Sequence, residues 1–263
     1  MRRSAPGRLM LLAADNLNAL NPVVAAALKD LAKKPIQELV RRLDQAGVDL
    51  IDLNPGYLTP RQEDRMAFLV EAVQEVSSTR LILDSPNPRV LAKGLAVCQQ
   101  PPILNALTLE EEKLAALLPL AVQAQTDLVL LLLDERSRPA PTLEEKLTLA
   151  SLLREEAVAA GLNPERLIFD PVLPNLSWPD VYYQTSAAIK AIRLLAAGAV
   201  FGEPARTMIG LSNLRSGQRH LYSLELEVTC LGLLAGAGVD VVLLDILQPD
   251  ILAHLHRVQQ LLR

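Results

Sequence analysis

The chain has 263 residues and a net charge of −4; half of its residues are hydrophobic and only 3% are aromatic. The negative charge argues against a protein that is held mainly by nucleic-acid phosphates. No stretch approaches the roughly 20 consecutive apolar residues that a membrane-spanning helix requires. The basic start, Met1-Arg2-Arg3, precedes an apolar run at 9–14 that is typical of a first strand rather than a signal peptide. We therefore expect a cytoplasmic protein that contacts neither membrane nor nucleic acid.

Short apolar runs alternate with longer amphipathic segments along the whole chain. The runs predict eight strands, at 8–14, 50–53, 81–83, 103–105, 128–133, 167–169, 208–211 and 239–244. The segments between and after them predict helices over 35–46, 61–77, 87–98, 109–124, 142–160, 180–197, 221–237 and 248–262. Thr142, followed by Glu144 and Glu145, marks a helix start. The charged runs at 110–113 and 144–146 are interpreted as solvated helix faces.

Eight strand–helix alternations in a chain of this length match the (β/α)8 TIM barrel in count and size. A doubly wound open sheet is the alternative, but it usually carries a glycine-rich first turn. Here the first strand runs into Asp15-Asn16-Leu17-Asn18 instead. We expect a single barrel domain over residues 1–263, with irregular segments at 15–34, 54–60, 134–141, 171–180 and 213–219 on its catalytic face.

Short polar residues follow the apolar runs at five distant places. They lie in Asp52-Leu53-Asn54, Leu83-Asp84-Ser85, Leu104-Asn105-Ala106, Phe169-Asp170-Pro171 and Gly210-Leu211-Ser212-Asn213. In a barrel of parallel strands these ends meet on one face, so the residues would share a pocket. Carboxylates accept paired hydrogen bonds and amides offer both donors and acceptors, which suits a guanine-like or pterin-like ring edge. Because none of these residues is cationic, the set suits a phosphate poorly.

In their order and spacing these motifs resemble those of the methyltetrahydrofolate:corrinoid-protein methyltransferases, within the wider group of pterin-binding barrels. The matching segments are Asp52-Leu53-Asn54-Pro55-Gly56, Leu83-Asp84-Ser85, Leu104-Asn105, Asp170-Pro171 and Ile209-Gly210-Leu211-Ser212-Asn213. The resemblance spans nearly the whole chain. It departs at the first strand, where Asp15 and Asn18 stand in place of a Gly-Glu-Arg-x-Asn motif and the arginine is absent.

The resemblance implies a role for each matched residue. Asp84, Asn105 and Asp170 would hydrogen-bond the pterin ring, and Asn213 would lie near N5, the atom that carries the methyl group. Asp84 and Asn213 are accordingly the expected catalytic residues. The remaining expected pocket residues are Ser85, Asn54, Asn18, Asp15, Ser212 and Arg219, with Asp245 at the end of the eighth strand as a secondary candidate.

The implied reaction moves the N5-methyl group of methyltetrahydrofolate to the cobalt(I) of a corrinoid, or the reverse. The corrinoid would arrive on a partner protein, homodimerisation is expected, and no tightly bound metal is predicted. Dihydropteroate synthase is one alternative, although its basic Ser-Arg-Lys segment is replaced here by Ser212-Asn213-Leu214-Arg215. The other alternative is a pterin-binding barrel that acts as a binding subunit without catalysis.

Overall fold

Eight parallel strands form a closed barrel in the computed structural model, which describes residues 10–261 apart from the side chains at 256 and 259. Each strand pairs with the next, and the eighth pairs with the first. This confirms the predicted (β/α)8 TIM barrel. The strands are β1 (Leu11–Asn18), β2 (Leu50–Asn54), β3 (Arg80–Asp84), β4 (Ile103–Leu107), β5 (Asp127–Leu131), β6 (Leu167–Asp170), β7 (Arg206–Gly210) and β8 (Val241–Leu244).

Helices cover the outside of the barrel, and each predicted helix is present with its ends shifted by a few residues. They are α1 (Pro22–Asp30), α2 (Lys33–Gln45), α3 (Arg65–Gln74), α4 (Pro88–Leu95), α5 (Glu111–Ala124), α6 (Leu143–Ala159), α7 (Val181–Ala196), α8 (Leu224–Ala237) and α9 (Pro249–Leu261). Within residues 10–261 we find no helix with the length and apolarity needed to cross a bilayer.

Two separate cores explain the strand pattern. Side chains of successive strand residues point to opposite faces, so alternate positions fill the barrel and the others pack against the helices. The interior layer contains one buried residue from each strand: Ala13, Leu50, Ile82, Ile103, Val129, Ile168, Met208 and Val241. The outer, larger core holds the intervening strand residues together with the apolar faces of the helices. Truncating an interior isoleucine such as Ile168 to alanine would cost about 2–5 kcal/mol.

The first strand differs from the prediction. It continues to Asn18 instead of ending at Ala14, while positions 8 and 9 lie outside the described residues. Its register against β2 shifts between Ala14 and Leu17, so that two residues of β1 stand opposite one of β2. Such a bulge lets a strand continue through polar residues while it redirects their side chains. The expectation of an irregular segment from 15 to 34 was therefore wrong at both ends, since α1 and the start of α2 also lie within it.

Local capping signals fix the start of α6. The Thr142 hydroxyl accepts a hydrogen bond from the Glu145 backbone N–H at 3.2 Å, and the Glu145 carboxylate accepts one from the Thr142 N–H at 3.1 Å. This reciprocal box satisfies two N–H groups that a helix start leaves without partners. The predicted N-cap is confirmed, and it sets the register of the residues that α6 turns toward the barrel.

Candidate functional site

The strand alternation carries polar side chains to the carboxyl-terminal mouth of the barrel. Two residues beyond the interior layer, the same face of the strands presents a second set of side chains. In β2, β3, β4 and β6 this set is polar and buried or half-buried: Asp52, Asp84, Asn105 and Asp170; the corresponding residue of β1, Asp15, is also polar and buried. The layer beneath is wholly apolar, so a closed hydrophobic floor lies under a mouth of carboxyl and amide groups. A ring ligand in this mouth would meet hydrogen-bonding groups at its edge.

Asp84 is held by the neighbouring strand. Its Oδ2 accepts a hydrogen bond from Asn54 Nδ2 at 2.8 Å, and Asn54 Oδ1 in turn accepts one from the Gly56 backbone N–H at 2.9 Å. Burial raises the pKa of Asp84 to about 6, and the bond from Asn54 opposes that rise. The hydrogen bond from Asn54 therefore fixes the orientation of the Asp84 carboxylate.

Asp52 lies in the mouth and is influenced by the charge of Asp84, and the sequence interpretation assigned it no role. Its side chain is buried, and Oδ1 has no hydrogen-bond partner among the described residues. Burial and then the charges of Asp84 and Asp15 raise its pKa well above the usual range. A protonated Asp52 can donate a hydrogen bond where its ionised neighbours only accept. The available signal was its position in β2, two residues after Leu50 of the interior layer.

Ser85 and Asn105 join β3 to β4 at the mouth. The Ser85 backbone N–H donates to the Asn105 carbonyl at 3.0 Å, and the Ser85 hydroxyl accepts from the Asn87 N–H at 3.2 Å. Asn87 in turn caps α4 through the Arg89 N–H. The Asn105 side chain is buried and belongs to the same interior face as Asp84. Ser85 thus ties the end of β3 to β4 and anchors the loop into α4.

Asp170 ends β6 at the opposite side of the mouth. Its Oδ1 accepts from the Val172 backbone N–H at 2.8 Å. Burial raises its pKa to about 7, the Val172 bond and the charge of Lys146 oppose that rise, and the charge of Asp84 adds to it.

Lys146 was expected on a solvated helix face, but its side chain is completely buried, so that interpretation was wrong for this residue. The signal was present in the helical spacing of Lys146 with Leu149, Ala150 and Leu153.

A second polar group lines a cavity of about 480 Å³ between β1, β7 and β8. Asp15 is buried there; burial raises its pKa to about 6, and a hydrogen bond from Ser212 opposes the rise. Asn16, which the sequence interpretation passed over, donates to Asp245 Oδ1 at 2.5 Å. Asp245 Oδ2 also pairs with Arg219 Nη1 at 3.2 Å. The bulge in β1 is what brings two consecutive residues to this cavity.

Asn18 plays a more local part than expected. Its side-chain amide donates to the backbone carbonyl of Asp15, and its Oδ1 accepts from the Leu20 N–H at 2.9 Å. Both bonds shape the end of β1. Asn18 lines the cavity, but its side-chain groups are already engaged by the backbone.

Asn213 lies in a 3₁₀ turn (Leu211–Arg215) that follows β7, and it is exposed at the mouth. A Cβ added to Gly210 would lie 2.9 Å from Asn213 Nδ2, so the Asn213 side chain packs against the end of β7. Asn175 Nδ2 donates to the Asn213 carbonyl at 3.1 Å. Beneath the turn, Arg215 Nε and Glu227 Oε1 form a buried ion pair at 2.8 Å. The turn is fixed from both sides.

The charges of the polar residues at the strand ends and of those around the cavity influence one another, so both sets belong to one mouth. Asp84 acts on both Asp52 and Asp170, and Asp15 acts on Asp52. Among residues 10–261 no cluster of His, Cys, Asp and Glu has an arrangement suited to a metal ion. Large exposed apolar side chains lie beyond the strand ends: Leu20, Tyr57 and Leu221 in loops, and Tyr182 and Tyr183 in the first turn of α7.

Comparison with known proteins gives consistent results. A family model described as pterin binding enzyme matches residues 6–245. Over 212 residues the chain is 28% identical to the methylcorrinoid:tetrahydrofolate methyltransferase of Eubacterium limosum, an alignment that covers 76% of this chain and 78% of that relative. The dihydropteroate synthase of Yersinia pestis, in a sulfonamide complex, has a TM-score of 0.71 at 16% identity and covers 96% of this chain and 93% of its own. The dihydropteroate synthase of Thermus thermophilus has a TM-score of 0.69 at 18% identity, over 97% and 93%. At these identities the two structures show a shared fold.

Proposed function

We propose, since the chain belongs to the pterin-binding enzyme family, that it transfers the N5-methyl group between methyltetrahydrofolate and the cobalt of a corrinoid carried by a partner protein. The observation that carries the proposal is the acceptor-rich, cation-poor mouth formed by Asp84, Asn105 and Asp170 over an apolar floor. The name of the Eubacterium limosum relative supports the methyl-transfer chemistry.

Recognition of the pterin edge would fall to the carboxylates. A pterin presents a ring N–H beside an exocyclic amine, and one ionised carboxylate accepts from both in a paired arrangement. Asp84 and Asp170 stand on opposite sides of the mouth, with the Asn105 amide between them in strand order. Protonated Asp52 would supply a donor to a ring acceptor or to Asp84. Together these groups satisfy both the donors and the acceptors of the ring.

Methyl transfer requires that N5 become a better leaving group. A tertiary amine leaves poorly, and a hydrogen bond or proton at N5 places positive charge on nitrogen and makes the methyl group electrophilic. In this proposal Asn213 stabilises the activated amine through its side-chain oxygen, and the fixed 3₁₀ turn positions that oxygen in advance. Asp15, next to Ser212 and with a pKa of about 6, can hold the proton that N5 shares. The corrinoid supplies a cobalt(I) nucleophile that takes the methyl group.

Access for a protein-bound corrinoid would come from the mouth itself. Asn213 is exposed, as are the side chains of Tyr57 and Leu20 in neighbouring loops and of Tyr182 in the first turn of α7. Exposed aromatic residues around a concave polar site are typical of a protein-docking rim. We propose this rim as the surface that receives the corrinoid protein.

Dihydropteroate synthesis is the main competing reaction, and the charge of the mouth argues against it. That reaction releases pyrophosphate, whose binding favours several free cationic side chains. Within the described part of the mouth, Arg219 pairs with Asp245 and Lys146 is buried behind the Asp170 turn. Neither offers an unoccupied cation at the ring site.

The proposal is tested by mixing the purified protein with methyltetrahydrofolate and cob(I)alamin under anaerobic conditions and following the visible absorbance of the cobalamin. We expect protein-dependent formation of methylcobalamin, and no dihydropteroate from 6-hydroxymethyl-7,8-dihydropterin pyrophosphate and 4-aminobenzoate. Folate binding without methyl transfer would contradict the proposal in favour of a binding subunit. Dihydropteroate formation would contradict it in favour of the synthase.

A further inference from the structure

A completely buried lysine lies directly behind the mouth. Lys146, near the start of α6, has no exposed surface, and its Nζ donates to the backbone carbonyl of Pro171 at 2.6 Å. Lysine is rarely fully buried, because removing its charge from water is costly unless a partner compensates. The acceptor of the Lys146 hydrogen bond is a neutral carbonyl rather than a carboxylate, which compensates the buried charge only in part. Packing alone therefore does not explain a lysine at this position.

The turn that Lys146 contacts has strained backbone geometry. Val172 has φ = +61°, a left-handed conformation that β-branched residues strongly disfavour. Non-glycine residues persist in this region only where surrounding contacts impose it, and such residues are concentrated at functional sites. The strained residue follows Asp170 by two positions, at the edge of the proposed pterin pocket.

Two side chains hold opposite ends of a single peptide group in this turn. Lys146 Nζ binds the Pro171 carbonyl oxygen, and Asp170 Oδ1 binds the N–H of Val172, which belongs to the same peptide. A cation on the oxygen polarises the peptide and strengthens its N–H as a donor. Lys146 is thereby coupled to the Asp170 carboxylate through the peptide between them. Asp170 Oδ1 is engaged by the turn, which leaves Oδ2 for the mouth.

We propose that Lys146 is a positioning residue for pterin recognition: its hydrogen bond to Pro171 fixes the strained turn, and its charge keeps the Asp170 carboxylate ionised and oriented toward the ring. This inference rests on the proposed function of the mouth. It assigns to a residue outside the pocket the task of preparing one of the ring-binding carboxylates.

The charges around Asp170 support this coupling and give it a sign. Asp170 faces Lys146 from α6, Asp84 from β3 and the Val172 N–H of its own turn; burial raises its pKa to about 7, and Lys146 holds that value down. Burial lowers the pKa of Lys146 to about 8, while the charges of Asp170 and Glu145 raise it. Between these two pKa values, near pH 7.5, most of each group is therefore in its charged form. Without the lysine charge the pKa of Asp170 rises further, and a proton occupies the carboxylate at a pH where the ring needs an acceptor.

The test measures binding of methyltetrahydrofolate by calorimetry between pH 5.5 and 9 for wild type and Lys146→Met, which keeps the side-chain length without the charge. We expect the acid midpoint of binding to move up by about one pH unit, with about tenfold weaker affinity near pH 6.5 and convergence at high pH. Protonation of the folate itself affects both proteins equally, so it does not contribute to the difference between their midpoints. Lys146→Gln, a polar substitution without the charge, should show the same shift and serves if the methionine variant does not fold.

Two further variants serve as controls. One relieves the strain of the turn and keeps the Lys146 charge, and the other removes a lysine charge elsewhere on the protein. Val172→Gly accepts the left-handed φ freely and keeps Lys146, so its midpoint should match wild type. Lys190→Met removes an exposed lysine on α7 and should also leave the midpoint unchanged. An unshifted midpoint in both Lys146 variants, or an equal shift in Val172→Gly, would overturn the inference. Absence of folate binding in wild type would instead overturn the proposed function, and the inference with it.

Discussion

Substitution of Asp84 by asparagine tests the pocket with the smallest change in shape. The remaining side-chain oxygen of Asp84→Asn can still accept from Asn54, which turns the new amide N–H groups toward the donors of the pterin edge. Two charge-assisted hydrogen bonds are lost, each of which contributes about 1.5–3 kcal/mol. A combined loss of about 3–4 kcal/mol, allowing for non-additivity, raises Kd about 100- to 1000-fold. Calorimetric titration with methyltetrahydrofolate at pH 7.5 measures it directly.

The matched control is a buried aspartate at the other end of the barrel. Asp127 begins β5, and its Oδ2 pairs with Arg80 at 2.9 Å and with Arg206 at 3.2 Å. Asp127→Asn should lower the free energy of unfolding by about 2 kcal/mol, because it leaves partly buried arginines with a neutral partner, and should leave folate Kd unchanged within about twofold. Asp84→Asn should not lower Tm, since burial opposes the charge of Asp84. Folate affinity in Asp84→Asn within about threefold of wild type would refute the assignment of Asp84 to the ring.

Three further outcomes are expected. Asn213→Ala should keep folate affinity within about threefold and lower the turnover number about 100- to 1000-fold in stopped-flow methyl transfer. The reason is that the contact between Asn213 and N5 strengthens only as charge develops on N5. Equal effects on Kd and on the turnover number would contradict this. Burial raises the pKa of Asp84 to about 6 and that of Asp170 to about 7, whereas both values lie near 4 in the unfolded chain. Between about pH 4 and pH 7 the folded state therefore holds more protons than the unfolded state. The free energy of unfolding consequently falls as the pH rises through this range. The ligand-free Tm should therefore be higher at pH 5 than at pH 7.5, and Asp84→Asn combined with Asp170→Asn should reduce the difference; an unaltered difference would show that other groups cause it. Arg215→Met leaves Glu227 buried without its cation and should lower the free energy of urea unfolding by about 3 kcal/mol, whereas a change below about 1 kcal/mol would show that the pair is not a support of the turn.

The barrel and the start of its sixth helix could be predicted because the signals are local. Apolar runs separated by amphipathic segments indicate β/α repeats, and Thr142 with Glu145 forms the cap that its spacing suggests. The polar ends of the strands could also be assigned to one mouth. Alternation from the interior layer explains why Asp84, Asn105 and Asp170 share a face.

Other features depend on contacts between residues far apart in sequence. The bulge in β1 and the bond from Asn16 to Asp245, 229 positions away, arise only when the barrel closes. Lys146 is surrounded by charged neighbours in sequence, so its burial is visible only through its spacing with the apolar residues of α6. The left-handed Val172 has no sequence signature, because valine is a residue that this conformation disfavours. Sequence rules for local structure fail at strained residues and buried polar groups, and such failures are expected at functional sites.

Methyl transfer by this barrel can be observed by following the methyl group itself. Methyltetrahydrofolate labelled with ¹³C at the N5-methyl position is incubated anaerobically with the protein and cob(I)alamin, and the label is located by NMR. We expect the resonance to move from N5 to cobalt in the presence of wild type, and Asn213→Ala to bind the folate but slow this transfer. Label that remains on N5 while wild type is saturated with folate would contradict methyl transfer as the function of this barrel.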